Sequence, residues 1–219
     1  GGGMYNDFSS PTLTNCTFTG NAAGDDGGGM SNHVGSPMLT DCTFMNNSAI
    51  FSGGGMHNES SHPILTRCTF AGNSADYENG GGMHNESSRP ALTDSTFTDN
   101  SARAHGGGMS NDESDPHLTG CTFAGNSAFR GGGMYNDESS PNLTDCGFSI
   151  NSAGEAGGGM GNRVSSPTVA DCTFTSNTAT HNGGGMHSES SRPVLTECTF
   201  TGNSSGCFGG AMANESSSP

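Results

Sequence analysis

Gly27-Gly28-Gly29-Met30 reads GGGM, the tetrad that also opens the chain at Gly1 to Met4. It returns at Gly53 to Met56, Gly80 to Met83, Gly106 to Met109, Gly131 to Met134, Gly157 to Met160 and Gly183 to Met186, and once as GGAM at Gly209 to Met212. Successive methionines lie 26, 26, 27, 26, 25, 26, 26 and 26 residues apart. A near-constant period of this length predicts a solenoid. Seven residues after each methionine stands a proline, from Pro11, Pro37 and Pro63 to Pro193 and Pro219. The one-residue variation in length therefore falls between the Asn-Ser-Ala segment and the next glycines.

The apolar positions form rows. After the methionines come Leu13, Leu39, Leu65, Leu92, Leu118, Leu143, Val169 and Leu195, then Cys16, Cys42, Cys68, Ser95, Cys121, Cys146, Cys172 and Cys198. Two residues on stand Phe18, Phe44, Phe70, Phe97, Phe123, Phe148, Phe174 and Phe200. Thirty-seven glycines and nine regular prolines exclude long helices. Short alternations such as Cys16-Thr17-Phe18 suit strands. The reading is an all-β, right-handed parallel β-helix over 1–219, a single repeat domain with eight full coils and a partial ninth. Two or three strands are expected per coil, with like residues stacked at roughly 4.8 Å.

In that geometry Met4, Met30, Met56, Met83 and the rest of their row, with the Leu, Cys, Phe and Ala rows, point inward. Asn21, Asn47, Asn73 and their successors are expected to turn corners, where Asn tolerates the left-handed conformation and stacked amides hydrogen-bond along the rod. A second row, Asn6, Asn32, Asn58, Asn85 and onward, is expected to mark another corner.

GG[AG]-hydrophobic tetrads alternating with FxxN, here Phe18-Thr19-Gly20-Asn21 to Phe200-Thr201-Gly202-Asn203, resemble the repeats of the polymorphic outer-membrane protein family. The resemblance spans the whole chain. It implies right-handed β-helical passenger segments, exported as autotransporters and used in adhesion. GGGM replaces the family's usual GGA followed by Ile, Leu or Val, and none of these residues reads as the C-terminal barrel segment that the resemblance implies, which leaves autotransport open.

The chain carries 21 acidic against 6 basic residues, a net charge of −15. That balance provides no basic stripe for nucleic acid. No stretch approaches a transmembrane span, and none of these residues reads as a signal peptide. Beginning in full repeat phase, the sequence reads as a section of something longer. Like chains joined end to end, or a ligand on a host or cell surface, are the expected partners.

Seven cysteines share one row, and Cys207 stands apart. Parallel stacking gives poor disulfide geometry, so the row reads as small buried hydrophobes, with Ser95 in the same slot. An acidic row contains Glu59, Glu86, Asp112 and Asp137 on consecutive coils, interrupted by His33 and Arg163. Calcium would suit such oxygens, against the plainer reading of a solvated edge. His57, His84 and His187 share a position with Tyr5, Ser31, Ser110, Tyr135, Gly161 and Ala213, a tolerance that reads as outward and not as a metal site. Sequons at Asn15, Asn46, Asn58, Asn85, Asn142, Asn203 and Asn214 would admit glycans.

No coil gains more than one residue, and nearly every polar position copies its neighbours, so no catalytic residue is expected and a polysaccharide lyase or hydrolase is disfavoured. Threonine rows such as Thr17, Thr43 and Thr69 raise ice binding, but Met45, Ala71 and Ala124 spoil the Thr-x-Thr pairs. The expectation is a non-enzymatic extracellular or cell-surface fibre or stalk, with the adhesin passenger as the main alternative.

Overall fold

The computed structural model describes residues 1–216; Pro219, the last of the proline row, lies outside them. The chain winds as a parallel β-solenoid whose strands make one nine-stranded and three eight-stranded sheets. A representative coil contains strands Met56–Glu59, Ile64–Thr66, Thr69–Ala71 and Ser74–Ala75. There are four strands per coil, where the alternation pattern suggested two or three. The fourth was hidden in the Asn-Ser-Ala segment because two extended residues carry no periodicity.

Successive coils pair in register, Met56 with Met83, Leu65 with Leu92, Phe70 with Phe97 and Ala75 with Ala102, with one shift in the fourth sheet between Ala128 and Arg130. The inward rows are as read. Met, Leu, Cys and Phe from successive coils make one continuous core along the axis. The Phe rings stack nearly parallel, with centroids 4.7–4.9 Å apart. The strand spacing, not ring electrostatics, sets this arrangement, because isolated aromatic pairs prefer offset or edge-on packing. The cysteines are free thiols. Burial pushes the Cys68 thiol up to about 11, so it stays protonated and behaves as apolar filler. Ser95 fits the slot by donating to Thr93 O at 3.0 Å and accepting from Cys68 N at 3.1 Å.

The asparagines correct the expected corners. In the FxxN row the left-handed residue is the one before Asn: Gly72 has φ +64°, Asp99 +54° and Ile150 +57°. The Asn side chain turns inward. Asn73 Nδ2 donates to Asn100 Oδ1 at 2.9 Å and to Phe44 O at 3.0 Å, while its backbone N–H reaches the same Oδ1 at 3.0 Å. The second row, containing Asn58 and Asn85, is not at a corner either. It lies within the first strand and forms a buried ladder, with Asn58 Nδ2 to Asn85 Oδ1 at 2.8 Å and Asn85 Nδ2 to Asn111 Oδ1 at 2.8 Å. A serine row unremarked in the sequence, including Ser61, Ser88 and Ser114, adds a third ladder in which each hydroxyl accepts the preceding coil's serine N–H.

These ladders divide the sequons. Asn58 and Asn85 are fully buried, and the amide nitrogen a glycan would occupy is already donating. Asn203 is half-buried, with Nδ2 on Phe174 O at 2.7 Å. Asn15, Asn46, Asn142 and Asn214 are exposed. When the chain is secreted from a glycosylating host, glycopeptide mapping of the folded protein is expected to find sugar at Asn15, Asn46 and Asn142 and none at Asn58 or Asn85. Occupied Asn58 or Asn85 in folded material would contradict the ladder.

Candidate functional site

In the first strand the residue after each methionine points away from the core, and sequence alone places it in solvent. The structure corrects this for the histidines. His57 is 6% exposed, His84 5% and His187 9%, and Tyr135 in the same row is 4% exposed. The cover comes from the segment preceding each GGGM. Its last residues, including His105, Arg130, Ala156 and Asn182, stack coil on coil as a second wall. His105, for example, lies flat on the Tyr135 ring at 4.3 Å. The variable segment and the first sheet therefore enclose a seam along the rod.

The seam gathers the titratable groups that differ between coils. His57 and His84 stack on adjacent coils, centroids 5.4 Å apart. Burial drives the His84 imidazole down to about 3, and also lowers His57 and His105. His84 Nδ1, Asn79 Oδ1 and Asn182 Oδ1 have no hydrogen-bond partner among the described residues. Farther along, Arg130 pairs with Glu155, lies 3.7 Å from Glu189, and holds the Glu155 carboxyl below its ordinary range. Asn182 Nδ2 donates to Glu215 at 2.6 Å, and His187 Nε2 approaches the same carboxylate at 3.4 Å. Together with Cys207 and Phe208 these groups line a groove of about 350 Å³. A smaller one of about 170 Å³ is lined by Asp25, Asp26, His33, His57 and Glu59.

The acidic row runs beside this seam. Glu59, Glu86, Asp112 and Asp137 are register partners in turn. The two interruptions neutralise neighbours: His33 Nδ1 sits 2.7 Å from Asp7, and Arg163 Nη1 2.5 Å from Asp137. Partial burial, then the flanking carboxylates, raises Glu86 and Asp112 above their ordinary values. Among the described residues, no three carboxylates of this row bring their oxygens within 4.8 Å of one another.

The winding and its repeat match the sequence family described as right handed beta helix region, over residues 1–166 and 102–218. The chain belongs to that family. No curated protein matches it. Members of a repeat family share the coil, not the side chains facing outward, so the groups in the seam are features of this β-helix to be read on their own chemistry.

What burial does to His84 sets a pH response. Its pKa is lowered from 6.5 in the open chain to about 3 in the fold. Stability from this group is complete above pH 6.5 and declines as pH falls towards 3, by at most about 1.4 kcal/mol per pH unit. His57 and His105, flanking it, act with the same sign. Glu86 and Asp112 act oppositely, since their raised values relieve repulsion on acidification. Thermal melts of the protein and of His84→Ser, the residue naturally present at Ser31 and Ser110, are expected to diverge below pH 6. The variant should lose less stability between pH 6.5 and 4; parallel curves would refute the assignment.

Proposed function

We propose that this β-helix is a non-enzymatic, extracellular rigid rod that serves as a fibre or stalk. The observation that supports the reading is uniformity: the Phe stack from Phe18 to Phe200 and the amide ladder from Asn21 to Asn203 continue coil after coil without a break. Such a core resists bending and adds a fixed rise per coil. The resemblance to polymorphic outer-membrane protein repeats favours a surface setting, and the acidic edge favours rods that repel one another. Cryo-electron microscopy of the natural material tests it. Long unbranched rods with a strand-spacing repeat along the axis support a fibre, short rods tethered to a larger assembly support a stalk, and a free globular particle refutes both.

A second reading, the adhesin passenger, is favoured by the groove at Arg130, Glu155, His187 and Glu215, whose composition is not repeated elsewhere among the described residues. Here the groove takes a polar ligand from a cell surface, and Arg130→Ser is expected to abolish binding on a glycan or cell panel while costing stability only the modest amount that a partly exposed ion pair supplies. Neither reading requires turnover. Cleavage of polygalacturonate, or thermal hysteresis in ice, would displace both.

A further inference from the structure

The row after the methionines contains one place where histidines occupy adjacent coils, His57 and His84. Two residues beyond His84, on the same side of the strand by the two-residue alternation, lies Glu86. One ring nitrogen of each histidine and a carboxylate oxygen of Glu86 lie within 4.8 Å of one another. Both imidazoles are more than nine-tenths buried, and His84 Nδ1 has no hydrogen-bond partner among the described residues. An orphaned lone pair or N–H in such a position costs about 1–3 kcal/mol unless something meets it.

We propose that His57, His84 and Glu86 bind one transition-metal ion of the zinc class, bridging two coils. Two imidazole nitrogens and one carboxylate oxygen are a zinc-type ligand set that leaves a fourth position for water. They suit zinc, copper or nickel better than calcium, which takes oxygen ligands. Around a tetrahedral ion with bonds of about 2.0–2.1 Å, ligand atoms stand roughly 3.4 Å apart. Modest rotation of the rings and of the Glu86 side chain closes the remaining distance without moving the backbone. Burial suits the ligands too, because imidazoles kept neutral offer their lone pairs without first losing a proton. The ion would neutralise the local excess of Glu59, Glu86 and Asp112, which otherwise face one another along the strand edge.

The test titrates Zn²⁺, and Co²⁺ as a visible probe, into the full chain carrying Cys207→Ser, which removes the exposed thiol. One equivalent per chain is expected, with Co²⁺ ligand-field bands and no sulfur charge-transfer band. His57→Ser/His84→Ser should weaken binding by ~100-fold or more and Glu86→Gln by ~10-fold, and zinc should raise the melting temperature of the parent but not of the double variant. Serine stands in this row at Ser31 and Ser110, so the double variant retains the coil, which circular dichroism verifies. Absence of stoichiometric binding, or binding that persists unchanged in the double variant, overturns the site.

Discussion

Gly81→Ala is expected to break the rod into two weakly coupled halves. A Cβ at Gly81 would stand 2.3 Å from Ser101 O, 2.5 Å from Ser101 C and 2.6 Å from Gly107 O. All three atoms are backbone, so no side chain can swing aside. The coil spacing itself must open, breaking hydrogen bonds such as Gly81 N to Gly106 O, 3.2 Å, and Gly82 N to Gly107 O, 3.0 Å. A loss of roughly 4 kcal/mol or more follows, equivalent to a fall of about 10 °C or more for a chain of this size. Because coils contact only their neighbours, hydrogen exchange should show the loss concentrated around residues 74–109, with distal coils protected. Gly24→Ala is the control: a Cβ there meets nothing within 4 Å, and no change in melting is expected. Equal melting temperatures for Gly81→Ala and the parent would refute the close-approach account of the glycine triplet.

Asn100→Ala has the second largest expected effect. Asn100 Oδ1 accepts the N–H of Asn73 and its Nδ2, while Asn100 Nδ2 donates to Phe70 O and to Asn126 Oδ1. All lie in the dry interior, where a stranded donor costs far more than the net value of the bond it made. Alanine strands the Asn73 N–H and leaves a void below Asn126, for a loss of about 3–5 kcal/mol. Asn100→Asp separates the two halves of the role. It keeps the acceptor for Asn73 but cannot donate to Phe70 O, and it places a carboxylate inside the core, so it should be no better than alanine. Calorimetry showing a loss below about 1 kcal/mol for alanine would mean that the ladder follows from the fold and does not hold it.

The fold was legible because in-register stacking prints each structural position once per period. Leu65 above Leu92 and Phe70 above Phe97 are visible as columns before any coordinates exist. The asparagines were legible as a row but not in their role, since Asn is equally at home in a left-handed turn and in a buried amide ladder. The residue before it held the signal: Gly20, Gly72, Gly125 and Gly202 occupy that slot, and their φ values are all positive. The seam was missed for a different reason. Tolerance of Tyr, Ser, His, Gly and Ala after the methionine looked like solvent exposure, yet Lys, Arg, Asp and Glu never occur there. That absence was the available clue to a cover. The cover itself comes from the segment whose length and composition vary most, so no column could reveal it.

In both asparagine ladders the amide-to-amide bond runs the same way, from Asn6 towards Asn32 and from Asn21 towards Asn47, and so on up the rod. Amide dipoles of about 3.5 D aligned head to tail add along the axis instead of cancelling, and each polarises the next. The interior therefore has a sense of direction, with its positive pole towards the higher residue numbers. In an electric field such a rod would align with a preferred heading and not merely an axis. Any two rods lying side by side would favour opposite headings, before a single surface contact is made.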